Sequence, residues 1–143
     1  MANTNYLKEI QSWVRDNWLP KQFPGYQFDK RFLELTTGGK HEFDAVSKDI
    51  SIVASIKTHS WTTSGGKRPA GKIAQLYQEL YFLSLVEVKK KYLILTNEDT
   101  YNNFQHESYG KMASGIETVF CQLPSDMRRK VLDIQKGASK EQK

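Results

Sequence analysis

Little in this sequence can form a cross-link. There is one cysteine, Cys121, so an internal disulfide is excluded, and no CxxC or HxxxH spacing marks a metal cluster. The three histidines, His41, His59 and His106, have no metal-ligand spacing, so structural roles are expected. No apolar run approaches the ~18 residues that a membrane span needs, so no membrane partner is expected. The opening MANTNYLKEI lacks the charged and apolar regions of a secretory signal, and a reducing cytoplasm is the expected location. No Ser-His-Asp set is visible, and SGGK at 64–67 lacks the spacing of a nucleotide-binding P-loop.

What is present fits one soluble domain. The chain has 143 residues, 38% of them hydrophobic, with three Trp, seven Tyr and seven Phe. Residues 1–137 are expected to form that domain, with 138–143 (ASKEQK) as a disordered tail. The net charge of +5 is compatible with a polyanion such as DNA.

Periodicity orders the chain. Tyr6, Ile10, Trp13, Val14 and Trp18 lie at helical spacing, with Thr4 as N-cap and Pro20 as stop. RFLELTT alternates as a strand and ends at a GGK turn. HEFDAVSKDISIVASIKT, residues 41–58, reads as a hairpin with Lys48-Asp49 at its tip. A polar, Gly-rich loop follows at 59–72. Ile73, Leu76, Tyr77, Leu80 and Leu83 then share a helix face. KKKYLILTN and ETVFCQLP read as strands around a mixed segment, and SDMRRKVLDIQKG as a last helix capped by Ser125. This order implies an α/β sandwich with a mixed sheet, its first three strands antiparallel.

The hairpin carries the chemistry. With Lys48-Asp49 at the tip, Asp44 faces Val53 and Glu42 faces Ser55. Alternation then puts Phe43, Ala45, Ile50, Ile52, Ala54 and Ile56 on an apolar face. Glu42, Asp44, Val46, Ser51, Val53, Ser55 and Lys57 share the other, with Asp44 diagonal to Ser55 at roughly 7–8 Å. Carboxylates and a lysine on a covered sheet face suit Mg²⁺, which takes oxygen ligands and substrate phosphate. A lysine beside them stabilises phosphate charge or orients a water. The plain alternative is a solvated face with cross-strand ion pairs.

These residues resemble the PD-(D/E)xK nuclease superfamily, the fold of many restriction endonucleases and Holliday-junction resolvases. Phe43-Asp44 is similar to the first half of the family motif, and Ser55-Ile56-Lys57 to the second. The order of elements from residue 4 to about 96 is similar as well. The resemblance implies a restriction-endonuclease-like three-layer sandwich with a central mixed sheet flanked by helices. It implies a metal-dependent DNA endonuclease using Mg²⁺ or Mn²⁺, with Asp44 and the Ile56 carbonyl as metal ligands and Lys57 as the catalytic lysine. Gln75 or Gln78, on the next helix, would match a family glutamine that points to the site. Cutting two strands would favour a homodimer.

Ser55 departs from the family pattern, which has an acid there. Glu42, across the hairpin, or Glu79, on the following helix, is a substitute catalytic acid, and Glu42 a further metal ligand. Glu34 and Glu9 are others. Alternatively the fold binds DNA or a protein partner without cutting, or has no nucleic-acid role. In the loop at 59–72, Lys67, Arg68 and Lys72 are candidate DNA-phosphate contacts and Trp61 a base-stacking or packing residue. RRK at 128–130 is a helix face that either touches DNA or is solvated.

Overall fold

The computed structural model describes residues 2–62 and 66–141, with side chains at 5–62 and 66–134. The first helix begins as α1 (Ala2–Trp13), widens into a π turn (Val14–Trp18) and closes as α2 (Leu19–Gln22). It starts before Thr4, the expected N-cap, whose side chain lies outside the described residues. It also runs through Pro20, the expected stop. The π turn explains this: Leu19 N–H bonds Val14 O, restarting the helix so that Pro20 falls in a first turn, where a missing N–H costs nothing.

Five strands follow: β1 (Phe28–Glu34), β2 (Lys40–Ser47), β3 (Ile52–Lys57), β4 (Lys90–Leu95) and β5 (Ile116–Phe120). They form one mixed sheet in chain order, β1-β2-β3-β4-β5. The β1–β2 and β2–β3 pairs are antiparallel, and β3–β4 and β4–β5 are parallel. The crossover from β3 to β4 is α3 (Ala70–Ser84), and that from β4 to β5 contains α4 (Glu98–Glu107). The turn before β2 depends on Gly38, whose φ of 98° is open to glycine at little cost. The backbone of α5 (Ser125–Glu141) is helical to Glu141, and residues 142–143 of the tail lie outside the described residues.

A core lies on each face of the sheet. On one, Val53, Leu93 and Leu95 pack against Ile73, Leu76, Leu80 and Leu83 of α3 and Phe104 of α4. On the other, Ala54, Ile56 and Ile94 pack against Ile10 and Val14, with Met127 and Val131 of α5 alongside. Each fully buried aliphatic side chain contributes about 1.5–3 kcal/mol relative to exposure. The result is a helix–sheet–helix arrangement that covers both faces of β3, burying Ser55 while Lys57, at the end of the strand, stays partly exposed. No described helix is long and apolar enough to cross a membrane.

Candidate active site

The site begins with a fault in pairing. Asp29 pairs Val46 but Arg31 pairs Phe43, so Lys30 of β1 opposes both Asp44 and Ala45 of β2. That is a β-bulge, and one extra residue reverses the sidedness of everything beyond it. Phe43 therefore joins Val46 and Val53 in the α3-side core, not Ala45 on the α1 side. Glu42 is carried away from Lys57. It pairs with Phe32, is exposed, and forms an ion pair with Lys30 at 3.6 Å. The expectation that Glu42 is a catalytic acid or metal ligand is thus corrected: the bulge turns it to the opposite face.

The hairpin turn is longer than a two-residue tip. Ala45 pairs Ala54 and Val46 pairs Val53, which leaves residues 48–51 as the loop. Asp49 Oδ1 fixes it, accepting from Ser47 Oγ (2.8 Å), Ser51 N (3.1 Å) and Ser51 Oγ (2.7 Å). Ile50, expected on the core face, sits in this loop at φ 58° and is exposed. The shift is by two residues, so the sidedness of β3 survives: Ser55 and Lys57 do face α3. By the same count Asp44, expected diagonal to Ser55, lies directly across from it.

Beyond Ala45 and Ala54 the β2–β3 ladder stops. Lys57 O accepts from Thr96 N and Ser51 O from Lys90 N, so odd-numbered carbonyls of β3 face β4. Alternation turns the Ile56 peptide towards β2, where no strand partner meets it. Asp44 fills the gap: its Oδ2 accepts the Ile56 N–H at 2.7 Å. The first helix closes the other side. Gln11 Nε2 donates to Ile56 O at 3.3 Å, and Arg15 Nη1, from the π turn, donates to Asp44 O at 3.1 Å.

On the α3 side, Glu79 joins two strands. Its Oε1 is 3.6 Å from Lys57 Nζ and its Oε2 3.7 Å from His41 Nε2. Glu79 is only 9% exposed, so this carboxylate is committed to the interior. His41 is stacked on Phe82, ring centroids 3.9 Å apart, with Phe43 edge-on beside it. Burial pushes the Asp44 carboxyl above its usual range. The Ile56 N–H and Lys57 oppose that rise, and Glu79 adds to it. His59 is pushed down to about 4, first by burial and then by Lys57 and Lys72.

Among the described residues three buried side-chain polar atoms have no hydrogen-bond partner: Ser55 Oγ, His41 Nε2 and His59 Nδ1. Buried polar groups are normally paired, so each of these is an exception to the usual pattern. Ser55 Oγ and His41 Nε2 flank Asp44 and Glu79. Asp44, Glu79 and the Ile56 carbonyl all offer oxygen atoms at this end of the β2–β3 ladder. Among the described residues no group of three or more His, Cys, Asp or Glu side chains stands close enough to hold a metal. Oxygen donors of this kind are the type that Mg²⁺ and Mn²⁺ take, through one or two carboxylates plus water.

The remaining candidates are spread out. Gln75 and Gln78 are exposed on α3; the glutamine at the Ile56 carbonyl is Gln11 instead. Glu34 is exposed on β1, paired in register with Lys40, and Glu9 is exposed on α1. In the loop, whose residues 63–65 lie outside those described, Lys72 Nζ donates to Ser60 O, Ser60 Oγ and Thr62 O, tying the loop to α3. Arg68 pairs with Glu107, and Trp61 packs on the α3-side core. Lys67 is exposed.

Gln11, Arg15 and His41 were not singled out as site residues from the sequence. The signal for the first two was present: they stand four apart on one flank of the first helix, Gln11 in α1 and Arg15 in the π turn, between its apolar stripe and solvent. No family model, no curated protein and no solved structure matches this chain.

Proposed function

We propose that this protein is a metal-dependent DNA endonuclease of the PD-(D/E)xK type, with the acid missing at Ser55 supplied from α3 by Glu79. The observation that carries this reading is the convergence of Asp44, the Ile56 peptide, Lys57 and Glu79 where the β2–β3 ladder ends. The strand order, with an antiparallel meander and a helical crossover to a parallel strand, supports the same fold type.

Asp44, Glu79 and the Ile56 carbonyl would hold Mg²⁺ or Mn²⁺, and the ion would supply charge stabilisation at the phosphate. Asp44 keeps one carboxylate oxygen on the Ile56 N–H, which fixes the orientation of the other. Gln11 and Arg15 hold the two backbone carbonyls that frame the opening. Lys57 lies beside Glu79 without a direct hydrogen bond, so its ammonium is available to a water or a phosphate oxygen. Cutting both strands favours a homodimer.

The test is cleavage of supercoiled plasmid with Mg²⁺ or Mn²⁺. Asp44→Ala and Lys57→Ala should each lose about 10²-fold or more of the rate, and Glu79→Gln should fall with them. Glu42→Gln should cleave as wild type does. Loss of activity in Glu42→Gln but not in Glu79→Gln would sink the assignment. A second reading, a non-cutting DNA-binding protein of this fold, is favoured by Ser55, whose hydroxyl is a weak metal ligand at a fully buried position. DNA binding without cleavage in either metal would select it.

A further inference from the structure

A cavity of about 170 Å³ lies at the carboxyl ends of β3, β4 and β5, against α5. Crevices at the carboxyl ends of parallel strands are the usual ligand positions of open α/β sheets. This one begins at Thr58, the residue after Lys57. It is smaller than the ~300 Å³ of drug-sized pockets, and so suits a single ring system.

Its lining is mixed in a specific way. Phe120 provides an aromatic face, and Val131 and Leu132 an apolar wall. Thr58, Thr96 and Gln122 bring hydroxyl and carboxamide groups, none of which bonds another described residue through its side chain. Arg128 and Glu98 stand exposed at the edge, one of each charge, the Arg128 guanidinium without a partner among the described residues. A flat heterocycle with donors and acceptors on its edge, attached to a phosphate, is complementary to this set: stacking on Phe120, edge bonds to Gln122 and the threonines, and a cation for the phosphate.

We infer that this cavity receives one unpaired nucleobase of a DNA strand whose backbone passes the Lys57 site. The inference rests on the nuclease reading for the placement of the strand, but the cavity can be tested without cleavage. Thr58, at the end of β3, turns to the opposite side of the sheet from Lys57, so a base and its neighbouring phosphate would straddle the tip of that strand. A nuclease built this way prefers DNA in which a base is already unpaired, because extrusion of a paired base costs stacking and pairing energy.

The experiment measures binding of the full chain, in EDTA, to short duplexes carrying one 2-aminopurine. In one duplex the 2-aminopurine is paired with thymine; in the other it faces an abasic site. The unpaired duplex should bind roughly tenfold tighter, within the range that one stacked base contributes, and its fluorescence should change on binding. Gln122→Ala and Leu132→Trp, both at exposed positions, should bring that ratio to about one, with binding of the paired duplex retained. Equal binding of the two duplexes by the wild type would overturn the pocket and leave the nuclease reading intact. An unchanged ratio in both variants would overturn it too. A normal ratio with no cleavage in any metal would retain the pocket and reject the nuclease. No binding to either duplex would reject the pocket, and the cleavage assay would then decide the nuclease reading by itself.

Discussion

Acidification should unfold this protein partly through one histidine. His59 has its Nδ1 buried and unpaired, and Lys57 and Lys72 bear on it, so its pKa falls from 6.5 to about 4. The folded state keeps it neutral, while the unfolded chain takes up a proton below about 6.5. The stability this provides is therefore fully present above that pH and is lost as pH falls towards 4. Between about pH 8 and about pH 5 the loss is about 2 kcal/mol from linkage alone. His59 is only half-buried, and screening by solvent lowers this to roughly 1–1.5 kcal/mol. Asp44 acts in the opposite direction, because its raised pKa lets the native state hold a proton that the unfolded chain lacks. The comparison must therefore be between wild type and His59→Gln, which share Asp44. Urea titrations across that pH range should give curves that diverge, with the wild type losing more stability on acidification than the variant. A proton NMR titration should place the His59 ring signal at about 4. Parallel stability profiles, or a His59 midpoint near 6.5, would refute the placement of this ring beside the two lysines.

Other consequences are simpler to check. Ser55→Ala should leave stability unchanged or raise it by about 1 kcal/mol, because the buried hydroxyl it removes has no partner; a loss above that size in urea would show that Ser55 is bonded. Gln11→Ala should reduce plasmid cleavage more than stability, since it removes the one side chain that holds the Ile56 carbonyl. Equal activity to wild type would make Gln11 a bystander. Cys121 is buried with its thiol pushed up to about 12, so a disulfide reagent at neutral pH should react with it only when the protein is denatured. Leu76→Ala, at a fully buried position of α3, should cost about 2–5 kcal/mol by urea denaturation.

Much of this architecture could be read from residue order. Runs such as KKYLIL and the alternation in β3 announced their strands, and the apolar stripe of α3 announced the crossover helix. The helix α4 was not announced, because it buries only Thr100 and Phe104 and is otherwise polar, so its pattern is too thin to show a period. Lys57 and Asp44 stood out as candidates because each breaks an apolar strand, and Glu79 because it lies on the helix that follows Lys57, where the resemblance allows a substitute acid. The error over Glu42 has a definite cause: alternation was carried through residues 44 and 45, where an extra residue interrupts it. Nothing in the local sequence marks that bulge, since it is decided by the pairing of β2 with β1. Gln11 and Arg15 act on residues 45 and 29 positions away, so their role exists only once the chain is folded.

The bulge also bears on how this chain would respond to editing. Removing one of residues 44 and 45 would give a smoother protein: β2 could pair evenly with both neighbours, and the Ile56 N–H could find a carbonyl instead of a side chain. A procedure that rewarded only regular pairing and thermal stability would accept that deletion, and in doing so would seal the opening between β2 and β3. Insertions and deletions here are therefore a sharper probe of purpose than substitutions. A chain kept only for its shape should tolerate the repaired ladder, whereas a chain kept for its chemistry should not.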